Sequence, residues 1–351
     1  MLATLPEPIA AIMLSSCYSL IIHLSLVMLF FMIFLTTLPV FADYEPSSMI
    51  NISVENDVGS IGGPGTDHGY TQGLKFSYVA TTEHQPTFLN FMTHDSLAKT
   101  NLGFGVSQKL FTPAGIDNSN LIQDDRPYAA WLAADVFYHF QSEHQSQLIA
   151  LSLGIIGPEA LGENMQNSYH KATNYMLAEG WHHQLATEPT AEISYQQRNR
   201  FYEFNKSEHN KTFDAITLVG GDIGNVLIDG YFGAMVRYGY NVPTDLGPTR
   251  PSLLNGERFL SENTQIEDRF YFYSFAAARV IGVGRNIFLD GNTFKSSHRV
   301  KKRLAVVENE IGVSLNYNNL NLTWRFVTAT PEFEEKNEHK SFASISLSYR
   351  Q

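Results

Sequence analysis

Five side chains able to handle protons or cations fall in two places. Asn56 and Asp57 close an apolar run, and Thr71 opens the next, with the glycine-rich stretch 59–65 between them. Gln166 and His170 stand four residues apart in a segment, 159–176, rich in helix formers and with Gly162 as its one glycine. On a helix that spacing puts both on one face. Histidine is the natural general base near neutral pH. An Asp carboxylate, an Asn carbonyl, a Thr hydroxyl and loop carbonyls are hard oxygen donors, which favour Ca²⁺ over zinc or copper. The chain has no GxSxG elbow, and no serine is evidently paired with His170. Water attack on an ester is therefore the more economical chemistry. His170 would deprotonate the water, and a cation at Asp57 and Thr71 would stabilise the oxyanion. The plainer alternatives are a structural helical histidine and an ordinary polar loop at 58–69.

Two further groups carry charge. "QDDRPYAAWL" (123–132) holds Asp124, Asp125 and Arg126. They suit either a local salt-bridge cluster at a strand entrance or a headgroup anchor, with Arg126 gripping phosphate bidentately. His182 and His183 suggest a metal site only weakly, because adjacent side chains on an extended chain point apart.

The elements that must position these groups have period two. Ile311, Val313, Leu315 and Tyr317 alternate with Glu310, Gly312, Ser314 and Asn316; Leu320, Leu322, Trp324 and Phe326 do so with Asn321, Thr323 and Arg325. Asn318-Asn319 between these runs reads as a tight hairpin turn. Strands are expected near 48–57, 70–81, 101–110, 128–140, 146–156, 187–200, 211–222, 228–240, 267–281, 302–317, 319–330 and 340–350. Many reach the roughly 9–11 residues that cross a bilayer as tilted strands. Aromatic clusters such as "FYFYSF" (270–275) and "VFYHF" (136–140) suit interfacial girdles. The expectation is all-β: a twelve-stranded antiparallel transmembrane barrel with a short helix over its mouth. Connections after odd-numbered strands then share the extracellular end, and the loaded segments all fall in or beside the first, third and fifth.

From Pro8 to Ala42 there is no Asp, Glu, Lys or Arg, and "LIIHLSLVMLFFMIFLTTLPVFA" ends in Val40-Phe41-Ala42. Small residues at the −3 and −1 positions suit cleavage of a signal peptide spanning 1–42, with a retained anchor as the alternative and Met13 or Met28 as other possible starts. The barrel would occupy 43–351. The one cysteine, Cys17, leaves with the signal, so no disulfide framework is expected. A net charge of −11 argues against nucleic acid as a partner.

Taken in order, "SVENDVG…TDHGYTQGL", "QDDRPYAAWL", "GIIGPEALGENMQNSYH", "GWHHQL", "GGDIGNVL" and "RYGYNVPTDLGP" resemble the outer-membrane lipid A 3′-O-deacylases, from about residue 48 to the C-terminus. The resemblance implies a calcium-dependent esterase that removes the 3′-O-linked acyloxyacyl chain of lipid A in the outer leaflet. It places Asn56, Asp57, Thr71 and His170 on active-site positions, with Gln166 as a neighbour. Arg126 or Lys109 would meet lipid A phosphate. A monomer in the outer membrane is expected. The rivals are an outer-membrane phospholipase and a non-catalytic porin or structural barrel.

Overall fold

The computed structural model describes residues 48–57, 69–82, 86–92, 99–206, 211–248, 250 and 270–351. The leader expected at 1–42 and the glycine-rich stretch 59–65 lie outside these residues.

Twelve strands form one closed antiparallel sheet: β1 (Ser48–Asn56), β2 (Gly69–Thr81), β3 (Lys99–Thr112), β4 (Ala129–Gln141), β5 (Gln145–Ile156), β6 (Glu188–Lys206), β7 (Lys211–Gly224), β8 (Leu227–Tyr240), β9 (Phe270–Asn286), β10 (Ala305–Tyr317), β11 (Leu320–Ala329) and β12 (Lys340–Arg350). Each pairs with its neighbours in sequence, and β12 returns to β1, from Met49 opposite Arg350 to Asn56 opposite Ala343. Closure leaves no unpaired edge, which is what lets strands cross a bilayer. The Asn318-Asn319 turn is present, with Asn318 at φ 52° between the Tyr317–Leu320 pair.

Two strands run past their expected ends for local reasons. β6 continues to Lys206 because a register shift between Arg200 and Tyr202 breaks the alternation without ending the pairing. β9 continues to Asn286 through a register shift opposite Ile228 and Asp229, with Gly284 as the extra residue. The expected helix at 159–176 is shorter. A 3₁₀ turn at Pro158–Ala160 leads into α1 (Gly162–Thr173). A second short helix, α2 (Ile287–Asp290), follows β9. Strand parity puts both helices at the same end of the barrel, the upper end.

The two faces are inverted relative to a soluble sandwich. Phe76, Phe104, Val106, Leu153, Ile193 and Phe232 are exposed on the outside, while Asn51, Ser53, Lys75, Asp135, Arg237 and Arg325 are buried in the lumen. Buried charges need partners, and they have them. Lys75 meets Asp135 at 3.1 Å, Arg325 meets Glu310 at 3.0 Å, and Arg237 meets Asp214 at 2.6 Å and Asp245 at 2.9 Å. Asp245 belongs to the start of the β8–β9 connection, 241–248, which therefore enters the lumen from the lower end. There Arg198 donates to the carbonyls of Leu246 and Gly247, and Leu246 is fully buried. At the upper end Tyr70, Phe111, Trp131, Val327 and Phe342 from strands around the ring pack together with Phe288 of α2, and Phe111 stacks on Phe288 at 3.9 Å. A cavity of about 90 Å³ remains between these fillings. Among the described residues the lumen is packed from both ends, which counts against a porin.

Candidate active site

The register of β1 to β4 sorts the candidate residues by face. Glu55, Gly73, Lys109 and Trp131 form one row across the four strands, and Asn56, Gln72, Leu110 and Ala130 form the next. The first row points into the lumen, where Trp131 donates its indole N–H to Thr190 at 2.8 Å. Side chains alternate along a strand, so the second row points outward. In β2 the register shifts between Tyr70 and Gln72, leaving Thr71 as an extra residue. Such bulges re-aim a side chain. Tyr70 turns inward to donate to Glu55 at 2.6 Å, and the Thr71 hydroxyl meets that of Thr112 at 2.7 Å. Thr112 follows inward-facing Phe111, so this pair lies on the outer side. Asp57, one residue past β1, is buried, as is Thr71.

Helix α1 seats on that same outer face. Its buried residues, Gly162, Gln166 and His170, recur every four residues and make one stripe. A Cβ on Gly162 would lie 2.5 Å from the Ala130 Cβ and 2.6 Å from the Trp181 ring, so only glycine lets the helix come this close to the wall. An apolar cluster outside the barrel, comprising Leu110, Ile116, Tyr128, Ala130, Ala160, Ala178 and Trp181, fixes the seat. Gln108, also outward, donates to the Ala160 carbonyl at 2.6 Å. The helix therefore lies along the upper outer wall, not over the barrel mouth as expected. The lumen has its own aromatic filling, so the unsatisfied apolar stripe is on the outside.

Beyond α1 the chain turns back on itself. Asn174 takes a left-handed conformation, φ 56°, and its N–H caps the His170 carbonyl. That reversal brings the Met176 carbonyl to within 2.5 Å of His170 Nδ1. A carbonyl can only accept, so Nδ1 carries a proton, and a neutral ring would then have its basic lone pair on Nε2. Gln166 is held in one amide orientation by Trp181, whose indole N–H donates to its Oε1 at 2.7 Å. Asn167 brackets Ala178 with two hydrogen bonds and ties the returning strand of loop to the helix.

A cation would find oxygen ligands here. Among the described residues no group of three or more His, Cys, Asp or Glu is placed to hold a metal. Asp57 would be the charged donor and the Thr71 hydroxyl a neutral one. A set of this type fits Ca²⁺ and does not fit zinc.

The family model for outer membrane protein LpxR matches residues 28–351. The chain belongs to the LpxR family. Among solved structures it is similar to LpxR from Salmonella typhimurium, with TM-score 0.71 and 19% identity over 86% of this chain and 99% of that one. The translocator domain of autotransporter NalP from Neisseria meningitidis follows far below, with TM-score 0.35 and 9% identity over 88% of this chain and 90% of that one. Among curated proteins none matches the chain. As an LpxR-family barrel the protein resides in the bacterial outer membrane, which makes the helix-bearing upper end the extracellular one.

The two residues expected to meet phosphate are placed otherwise in this LpxR-family barrel. Lys109 faces the lumen, 5.3 Å from the Tyr70 ring, on the other side of the wall from α1. Arg126 is buried, lies over the Phe111 and Phe333 rings, and pairs with Glu332 of the β11–β12 connection at 2.5 Å. Neither presents its charge to the outer face. Asp125 pairs with Lys336 and accepts from the Ala114 N–H, so this cluster is a long-range cap over the lumen rather than a local one. Asp124 is exposed. His182 and His183 sit in a 3₁₀ turn, not an extended run, and their rings approach to 4.1 Å. Sequence reasoning passed over Thr112, Gln72 and Trp181. Trp181 directly precedes the histidine pair in "GWHHQL", and no local pattern links it to Gln166.

Proposed function

We propose that this protein is a calcium-dependent esterase that removes the 3′-O-linked acyloxyacyl chain of lipid A from the outer leaflet. The observation that carries the reading is His170: a histidine with Nδ1 given to a backbone carbonyl, on the stripe of a helix seated against the outer wall at the extracellular end. Lipid diffusing in the outer leaflet meets that wall sideways, so its ester bonds arrive at the right height without entering the lumen.

His170 Nε2 takes a proton from water as the water oxygen attacks the ester carbonyl carbon. The same ring returns the proton to the sugar oxygen as the C–O bond breaks, giving a free fatty acid and a free hydroxyl. Bound Ca²⁺ would polarise the carbonyl oxygen. Asp57 and Thr71 would hold the cation, Asn56 would orient the ester, and Gln166, locked by Trp181, would line the floor of the site. Lys109 and Arg126 take no part in binding phosphate on this reading.

The test is mass spectrometry of lipid A from cells producing the protein or its His170→Ala variant. The wild type should shorten lipid A by the 3′ acyloxyacyl group. The variant should lose about 10²–10⁴-fold in rate while still forming a heat-modifiable barrel. Full activity in folded His170→Ala would refute the mechanism. Release of fatty acid from phospholipid but not from lipid A would refute the substrate.

A further inference from the structure

The outer-face residues have partners back to back with them in the lumen. Asn56 follows Glu55 and Thr71 follows Tyr70, and the inner pair is joined by the 2.6 Å hydrogen bond from Tyr70 to Glu55. Glu55 is fully buried. Its other oxygen lies 3.5 Å from Arg250 Nε. Arg250 follows the segment that climbs the lumen from the lower end of the barrel. Its guanidinium also meets Glu308 at 2.8 Å and stands 4.8 Å over the Phe342 ring, while its carbonyl accepts from Arg279 at 3.0 Å. Arg279 in turn holds Glu308 at 2.8 Å. Arg250 is thus clamped by β9 and β10 and ties them to Glu55 of β1.

The bulge gives this chain of contacts its consequence. Thr71 is the one residue of β2 near the site without a register partner in β3. Its place therefore depends on the anchoring of Tyr70, whose ring packs on Phe111 and Phe342 and whose hydroxyl is tied to Glu55. Peptide geometry transmits any shift of Glu55 or Tyr70 to the residue that follows. We infer that Arg250 is a positioning residue: from the periplasmic-side connection it fixes the Glu55–Tyr70 pair and so sets the strand ends that carry Asn56, Asp57 and Thr71. The inference rests on the proposal that those three residues belong to the active site. Through Arg250 the loop that begins at the periplasmic end of the barrel reaches the layer directly behind an outer-leaflet site.

The experiment compares full-length wild type with Arg250→Gln, Arg250→Lys and Tyr70→Phe in detergent. Two readouts are used: steady-state hydrolysis of lipid A, and hydrogen–deuterium exchange of peptides covering 53–57 and 70–73. Arg250→Gln should lower kcat at least about tenfold with KM little changed, since small displacements of reacting groups act on kcat. Exchange should quicken in those two peptides and not in the remaining strands. Arg250→Lys, which keeps the charge, should recover most of both. If Arg250→Gln does not fold, Tyr70→Phe, which removes one hydroxyl from the same link, must reproduce the localised exchange and the loss of kcat. Wild-type kcat and unchanged exchange in a folded variant would overturn the inference, as would exchange that rises evenly around the barrel. If the wild type itself leaves lipid A intact, the enzymatic reading has failed, and the exchange pattern still decides whether Arg250 sets these strand ends.

Discussion

The indole N–H of Trp181 donates to Gln166 Oε1 at 2.7 Å, joining a 3₁₀ turn to the middle of the helix that carries His170. Trp181 is also in the apolar cluster that seats that helix on the wall, 5.1 Å from Tyr128. Trp181→Phe keeps most of the packing and removes the donor. It should cost about 1 kcal/mol of stability and reduce lipid A hydrolysis roughly tenfold by freeing the Gln166 amide. Melting curves and steady-state rates on the same preparation check both. Rates equal to wild type would remove Gln166 from the site.

Gly162 tests whether α1 must touch the wall. Alanine there would collide with Ala130 and Trp181 at 2.5–2.6 Å. The barrel strands do not depend on this contact, so Gly162→Ala should leave the heat-modifiable fold intact. The helix should lift, and hydrolysis should fall by about two orders of magnitude, as expected when a reacting group moves by about 1 Å. A second substitution, Ala130→Gly, removes the Cβ on the other side and should restore part of the rate in the double variant.

Calcium is the third test. Chelation should stop hydrolysis, and Ca²⁺ should restore it better than Mg²⁺, because Ca²⁺ accepts mixed oxygen ligands in variable, high coordination, whereas Mg²⁺ demands a near-ideal octahedron. Calorimetric titration of Ca²⁺ into wild type and Asp57→Asn gives a readout apart from turnover, with weaker binding expected in the variant. Undiminished turnover after thorough removal of calcium would leave Asp57 without this role.

The cap over the lumen should be acid-sensitive. Burial alone would raise the Glu332 carboxyl, but the charges and hydrogen bonds of Lys340 and Arg126 outweigh it and bring it from 4.5 down to about 2. A carboxyl lowered in the folded state contributes stability that is present above its unfolded value. That contribution is lost as pH falls from about 4.5 toward 2. Glu332→Gln should therefore lower the melting temperature near neutral pH, and the difference from wild type should shrink as pH approaches 2. A gap independent of pH would mean that the ion pairs with Arg126 and Lys340 contribute nothing.

Much of the site's placement could be read along single strands. Ile50, Ile52 and Val54 make the lipid-facing side of β1, so Asn56 had to face outward and Glu55 inward. By the same count Leu102, Phe104 and Val106 face lipid, which already sends Lys109 into the lumen. The phosphate role expected for Lys109 needs its charge on the outer face, and alternation along β3 puts it on the inner one. Arg126 was not legible in this way. Its partner, Glu332, is 206 residues away, and no local pattern announces it.

The sequence by itself determined twelve alternating runs, and that the first, third and fifth connections of an antiparallel sheet would share one end. Both follow from local physics: side chains alternate with period two, and antiparallel strands reverse direction at each turn. It also determined which residue types stand at 56, 57, 71, 166 and 170. Only the tertiary structure decided on which side of the wall the helix lies, that the bulge turns Thr71 outward, that Trp181 and Met176 hold Gln166 and His170, and that Arg250 comes up the lumen behind them. Each of these depends on contacts between segments far apart in the chain, such as Gly162 against Ala130 or Arg250 against Glu55. Such contacts are selected by the shape and charge left over once the strands have paired, and that remainder exists only in the closed barrel.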